Sequence, residues 1–76
     1  MVKELDTVVL ARDLKEYHLK RGDVGAVVHV YADSKAFEVE FVTGAGETVA
    51  VATLSPNDVR PMRQADILHV RAYAAA

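Results

Sequence analysis

Short runs in which apolar and polar residues alternate are the main pattern along this chain. The clearest run is Phe37-Glu38-Val39-Glu40-Phe41, where every second residue is apolar. Side chains alternate between the two faces of a β-strand, so this run predicts a strand with a buried apolar row and solvent-facing glutamates. The β-branched run from Thr7 to Ala11 predicts an earlier strand, whose Val8 and Leu10 enter the core.

Two further segments predict strands that complete one sheet with these. Val24 to Tyr31 carries valines on both faces, and Gly25 near its start indicates a bulge or a close backbone approach. Val59 and Arg60 predict a short closing strand. Pro61 cannot donate a backbone hydrogen bond, so we expect this strand to lie at a sheet edge or to end quickly.

A hairpin turn is predicted between the alternating run and a returning strand. Gly44-Ala45-Gly46 supplies residues that tolerate positive φ, and Glu47 to Leu54 follows as the fourth strand. We expect Val49 and Val51 of this strand to lie opposite the apolar row of the alternating run.

The remaining segments predict a loop and a turn. Arg12 to Asp23 is polar and weakly periodic, so we expect a long loop that Leu14 and Leu19 anchor over the core. Ser55-Pro56-Asn57-Asp58 predicts one 3-10 turn before the closing strand, because serine is a common N-cap and proline suits the first helical position.

These elements together predict an all-β fold, a small SH3-like barrel of five antiparallel strands over residues 1–64. Closing the sheet hides the strand edges of so short a chain. Residues 65–76 are expected to form an extension that packs on the barrel or on a second copy. In it, Ala65 to Arg71 has the pattern of a sixth strand or of a short helix, and Tyr73 to Ala76 is expected to be loose.

Composition limits the class of protein. No apolar run is long enough to cross a bilayer, and the N-terminus mixes acids and bases, unlike a signal peptide. The chain has no cysteine, whereas small secreted domains usually rely on disulfides, so we expect a cytoplasmic protein.

Charge is divided unevenly along the chain. The net charge of −2 argues against a general affinity for DNA or RNA. Residues 33–58 carry −4 and residues 59–76 carry +2, a division that can steer a partner of complementary charge.

A family resemblance extends over nearly the whole chain. The segments that carry it are Asp6 to Leu10, Leu19-Lys20-Arg21-Gly22-Asp23-Val24-Gly25, Val27 to Tyr31, Phe37 to Phe41, Gly46 to Val51, Val59-Arg60-Pro61 and Ile67 to Arg71. Together they resemble an uncharacterised bacterial family, domain of unknown function 4926. The resemblance implies an SH3-like fold and no particular activity. The chain departs from the family pattern at Lys15, where members often have proline, and at Ala26, where they often have threonine.

Residue types that carry catalysis or hold metals are sparse. Nucleophilic catalysis needs a serine, threonine or cysteine beside an oriented base, and both serines, Ser34 and Ser55, lie in predicted turns. His18, His29 and His69 lie in separate elements without a metal-ligand spacing. We therefore expect no enzyme, no cofactor and no metal.

Binding is the remaining class of function. The leading expectation is a non-catalytic protein-binding or accessory module, for example one that neutralises or modulates a larger partner encoded nearby, as a toxin antidote does. The candidate partner-binding residues are Tyr17, His18, Lys20, Arg21, Tyr31, Arg60 and Arg63. A homodimer through Ile67, Leu68 and Val70 is also expected, because these residues form an apolar tail. The alternative is a small barrel that binds RNA or single-stranded nucleic acid through Tyr17, Tyr31 and the basic residues.

Overall fold

The computed structural model describes residues 2–73, and the expectation that residues 74–76 are loose lies outside the described residues. Five strands and one 3-10 helix follow one another in the order β1 (Thr7–Leu10), the 3-10 helix (Lys15–Tyr17), β2 (Val24–Val30), β3 (Phe37–Val42), β4 (Thr48–Leu54) and β5 (Val59–Pro61).

All five strands belong to one antiparallel sheet. Their spatial order is β4-β3-β2-β1-β5, so the first strand pairs with both the second and the last. The predicted all-β class and the five antiparallel strands are confirmed. Among residues 2–73 no ladder joins β4 to β5, and these two strands are the edges of the sheet.

One apolar cluster forms the core, and every strand contributes to it. Val8 and Leu10 of β1 are 0% and 1% exposed, as predicted, and the apolar row of β3 is buried with them. Because both edge strands also supply buried residues, Leu54 and Val59, the sheet rolls around this cluster. Val9 points to the opposite face from its neighbours, yet it is also buried.

Gly25 marks a close approach of β2 to β3, as its position in the sequence predicts. A Cβ atom on Gly25 would lie 2.6 Å from Cγ1 of Val39 and 2.8 Å from Cε2 of Phe41. Only glycine therefore fits at this point of the core without displacing the aromatic row. The register of β2 and β3 shifts a little further on, between Val27 and His29.

The predicted facing of β4 is wrong for Val51, whereas Val49 is partly buried and packs against the core. Ala50, Ala52 and Leu54 lie opposite the apolar row of β3, whereas Val51 pairs with Glu40 and is 46% exposed. The cause is a register shift beside the hairpin: Phe41 pairs with Ala50, but the next residue of β3 pairs with Thr48. The extra residue in β4 turns the following side chains to the other face.

The first loop is anchored as predicted but contains the 3-10 helix. Leu14 and Leu19 are buried, and each donates its N–H to the other's carbonyl, with N···O distances of 2.9 and 3.1 Å. His18 ends the helix in the left-handed region, at φ 58°.

The segment before β5 is the expected single 3-10 turn, closed by one hydrogen bond between residues three positions apart. The backbone N–H of Asp58 donates to the backbone carbonyl of Ser55. The Asp58 carboxylate accepts from the N–H and hydroxyl of Ser55 and from Nε of Arg12. Ser55 is therefore a donor in this turn and does not act as the predicted cap.

The chain beyond β5 forms neither the sixth strand nor the short helix that was expected, as far as residue 73. We call residues 62–73 the C-terminal segment. It turns where Asp66 N–H donates to the carbonyl of Arg63, and then runs beside β1 and the start of β2. Val9, which is buried but lies outside the main core, lines a cleft together with Ile67 and Leu68 of this segment. No helix among the described residues is long and apolar enough to span a membrane.

Candidate functional site

A pair of charged residues fixes the far end of the C-terminal segment to the first loop. Arg71 donates from Nε to Oδ1 of Asp23 at 2.9 Å and from Nη2 to the other carboxylate oxygen. The same Nη2 donates to the carbonyl of His18 at 3.2 Å. Asp23 also accepts from the backbone N–H of Lys20 at 2.8 Å, so the loop is already folded around the carboxylate that holds Arg71.

A second charged pair fixes the near end of the segment to β5. Arg60 donates from Nη1 to Oδ2 of Asp66 at 2.9 Å. Asp66 also accepts from the backbone N–H of Arg63 at 2.7 Å, which closes the turn that starts the segment. The two anchors lie on either side of residues 67–70.

An aromatic residue adds a third contact. The hydroxyl of Tyr73 donates to the backbone carbonyl of Tyr17 at 2.9 Å, and the ring lies edge-on to His18 with a centroid separation of 6.5 Å. Tyr73 is only partly exposed and packs against the main core. The segment thus closes on the 3-10 helix of the first loop.

Both anchoring carboxylates are stabilised in the charged form. Burial alone would raise the pKa of Asp23, but the hydrogen bonds from Arg71 and from the backbone of Lys20 outweigh it and lower the pKa below 3.8. The side-chain hydrogen bond from Arg60, with the backbone N–H of Arg63, likewise lowers the pKa of Asp66. Both anchors are therefore ionic at neutral pH.

Between these anchors the apolar side chains face solvent. Ile67 is 82% exposed, Leu68 is 68% exposed and Val70 is 99% exposed. Three large apolar side chains within four positions are thus exposed on a backbone that is held at both ends, and we call these residues the apolar patch (Ile67, Leu68 and Val70).

Two half-open clefts flank the C-terminal segment. A cleft of about 310 Å³ lies toward the β3–β4 hairpin and is lined by Leu19, Val24, Phe41, Val42, Val49 and His69, among others. A cleft of about 320 Å³ lies toward β1 and β5, and Arg21, Arg60 and Arg71 line it together with Val9. Of these arginines, Arg21 has no ion-pair partner within residues 2–73.

The structure brings most of the predicted partner-binding residues into one region. Tyr17, His18, Lys20 and Arg21 lie together on the first loop, and Arg21 shares the second cleft with Arg60. Tyr17 is half-buried, whereas Lys20 and Arg21 are exposed. Arg63 follows β5, at the turn that begins the C-terminal segment.

Tyr31 is the exception among the predicted residues. It follows the far end of β2, roughly 20 Å along the strand from the first loop. Its hydroxyl donates to the carboxylate of Glu38, which raises the pKa of Tyr31, and its ring packs edge-on against His29. Tyr31 therefore belongs to a separate surface.

Sequence reasoning missed the residues that build the anchors. The sequence does not mark Asp23, Asp66 or Tyr73 as site residues, and Arg71 enters only through the alternation and the positive charge of the last stretch. The partners of two of the contacts are 48 and 56 positions apart, so no local spacing could reveal them. The Asp66 anchor is local, since it spans six positions, and an Arg…Asp pair around a turn was its available signal.

The serines and histidines considered for chemistry have structural surroundings. Ser34 lies in a turn at φ 57°, and the Ser55 hydroxyl donates to Asp58. His29 lies 3.8 Å from Glu4, on a different surface from His18 and His69. Within residues 2–73 no three acidic or histidine side chains are grouped so as to hold a metal ion.

Comparison with known proteins gives one match. The family model described as "Domain of unknown function (DUF4926)" matches residues 4–61. No curated protein and no solved structure matches the chain. The matched range includes all five strands and the first loop and ends at Pro61, so the C-terminal segment lies beyond it.

Proposed function

The chain belongs to the family of domain of unknown function 4926, and from the geometry of its C-terminal segment we propose that it is a non-catalytic protein-binding module. The proposed binding surface is the apolar patch together with the basic residues beside it. A larger protein, which the chain neutralises or modulates in the cytoplasm, is the partner that this surface suits.

The observation that carries the proposal is the outward direction of the apolar patch on an anchored backbone. Val70, at 99% exposure, lies next to Arg71, which is tied to Asp23. A segment that is already ordered loses less conformational entropy when a partner binds than a loose tail would lose. Apolar residues with a charged rim are also the usual anatomy of a protein interface.

Charge around the patch favours a partner with acidic groups. Lys20, Arg21 and Arg63 are exposed and take part in no ion pair within the described residues. Unpaired guanidinium groups at the rim of an apolar surface can form bidentate contacts with carboxylates. We therefore expect acidic side chains around an apolar centre on the partner.

Geometry gives less support to nucleic-acid binding. Single-stranded nucleic acids are usually held by exposed aromatic rings beside a basic groove. Here Tyr31 lies at the far end of β2 from Lys20 and Arg21, and Tyr17 packs partly against the core. No aromatic pair within residues 2–73 joins these two tyrosines.

The proposal is tested by comparing three forms of the purified chain as bait in an extract of the source organism. The forms are the wild type, the double variant Ile67→Asp with Val70→Asp, and the control Leu5→Asp. Leu5 is 85% exposed and lines neither cleft, so the control adds acidic charge at another exposed apolar site.

We expect wild type and control to retain one protein in near-stoichiometric yield and the double variant to lose it. The captured protein, purified, should then bind the wild-type chain directly. Equal recovery by all three forms would contradict the proposal. Recovery of RNA that depends on Lys20 and Arg21, and weakens steeply with salt, would replace it with the nucleic-acid alternative.

A further inference from the structure

From Ala50 to Leu54, the edge strand β4 lacks the features that normally prevent strands from pairing between molecules. Its seven residues, Thr48–Leu54, include no charged residue and no proline. Edge strands present unpaired backbone groups, and proteins usually protect them with lysine, proline, bulges or short length. The bulge of β4 lies at its hairpin end, so the stretch from Ala50 to Leu54 is regular.

The hydrogen-bond pattern shows which backbone groups of β4 face outward. Tyr31 N–H donates to the carbonyl of Ala36, so the backbone groups of Ala36 face β2. Backbone groups alternate in direction along a strand, and those of Phe37 and Val39 therefore face β4. Their partners in the ladder are Leu54 and Ala52.

The intervening residues of β4, Val51 and Thr53, consequently direct their N–H and C=O groups away from β3. Both residues are exposed. No backbone bond from residues 49–54 to any part of residues 2–73 outside the sheet is present. Two residues thus offer a repeating set of donors and acceptors at an open edge.

The opposite edge of the sheet is protected. β5 is only three residues long and ends at Pro61, which has no N–H to donate. A molecule with one open edge and one blocked edge cannot extend into a fibre by pairing edges. It can form a closed pair, in which the open edges of two copies meet.

We propose that β4 pairs with β4 of a second copy, antiparallel across a two-fold axis, to form one continuous sheet. In the register that uses the outward groups, Val51 of one copy lies opposite Thr53 of the other, and Ala52 lies opposite Ala52. A second copy is the occupant that fits best, because it supplies an uncharged strand of equal length.

This pairing places no like charges opposite each other. The nearest carboxylates on the outer face belong to Glu38 and Glu40, one strand further in. Each already accepts a hydrogen bond, from Tyr31 and from Thr48 respectively. β-Branched residues, valine against threonine, are favourable cross-strand neighbours. Val51 and Thr53 line neither of the clefts beside the C-terminal segment.

The test compares sedimentation equilibrium of the wild type, Thr53→Pro and the control Thr53→Ala. Proline removes the outward N–H of Thr53 and leaves the ladder to β3 intact, whereas alanine removes the hydroxyl and the γ-methyl group and keeps the N–H. We expect the wild type and the alanine variant to dimerise with a dissociation constant below about 1 mM. The proline variant should dimerise at least about tenfold more weakly, because the two-fold axis makes the same backbone hydrogen bond disappear at two places in the dimer.

Amide hydrogen exchange of the wild-type chain gives a second readout that needs no variant. Exchange at Val51 and Thr53 should slow as the protein concentration rises, because pairing covers these N–H groups. A monomer at all concentrations, with fast exchange at both amides, would overturn the proposal. So would a dimer that survives Thr53→Pro unchanged but is abolished by Ile67→Asp with Val70→Asp, since that result would place the interface at the apolar patch.

Discussion

Arg71 and Asp23, 48 positions apart in the chain, are joined through two nitrogens of the guanidinium group and both carboxylate oxygens. This pair ties the last described residues to the loop before β2. The Asp23 carboxylate also accepts a hydrogen bond from the backbone N–H of Lys20, so the same carboxylate binds both the first loop and the C-terminal segment. The Asp23 carboxylate therefore fixes both the first loop and the far end of the proposed binding surface.

Acid should weaken the fold by protonating the Asp23 carboxylate and two others. The pKa values of Asp23, Asp66 and Asp58 are lowered in the folded chain below their ordinary value of 3.8. Their contribution to the free energy of unfolding is fully present above that value and is lost as pH falls through the lowered folded values. We expect the free energy of unfolding to be constant near neutrality and to decline from about pH 4 downward. Denaturant unfolding at several pH values measures this profile.

Removing two of these carboxylates should reduce the acid effect. The variant that combines Asp23→Asn with Asp66→Asn loses both anchors and keeps the Asp58 contribution. We expect it to be less stable than the wild type at pH 7 and to lose less stability between pH 5 and pH 2. Parallel profiles for the two chains would show that the anchors do not stabilise the fold.

Gly25 should not tolerate even one added methyl group. In Gly25→Ala the new Cβ would meet Val39, Phe41 and the carbonyl oxygen of Glu40 at 3.0 Å or less. Overpacking of this kind costs typically about 1–3 kcal/mol, and contact with backbone leaves little room for relief. The matched control is Gly44→Ala, where the added Cβ has no atom within 4 Å. Urea unfolding should give a free energy of unfolding about 2 kcal/mol lower for Gly25→Ala and within about 0.5 kcal/mol of wild type for the control.

The first loop should contribute to stability through a buried leucine. Leu14 is 1% exposed and belongs to the core cluster, so Leu14→Ala should lower the free energy of unfolding by about 3 kcal/mol. Leu5→Ala removes the same atoms from a side chain that is 85% exposed, and its effect should stay within about 0.5 kcal/mol. Similar losses in both variants would mean that the loop does not cover the core.

The strands could be predicted from the sequence because their signals are local. The alternation of Phe37 to Phe41 indicates one buried face of a strand, and Gly25 indicates a close approach between two strands. The facing of Val51 is predicted wrongly, because a run of valines and alanines gives no signal for the residue inserted near the hairpin.

The C-terminal segment could not be predicted because its conformation is fixed by distant partners. Ile67 to Arg71 alternates as a strand would, but this stretch pairs with neither edge of the sheet. The segment crosses beside β1 instead, and ion pairs with Arg60 and Asp23 hold it there. The candidate binding residues of the first loop stay a prediction, which rests on the general use of loops with exposed basic and aromatic residues as binding sites.

The central claim, that the apolar patch is a fixed surface, is tested most directly by NMR order parameters of the Ile67, Leu68 and Val70 amides in the free chain. We predict values near about 0.85, as in rigid backbone, and values below about 0.6 in Arg71→Gln, which loses the charged anchor. Order parameters below about 0.6 at these amides in the wild type would contradict the account, because the patch would then be a loose tail.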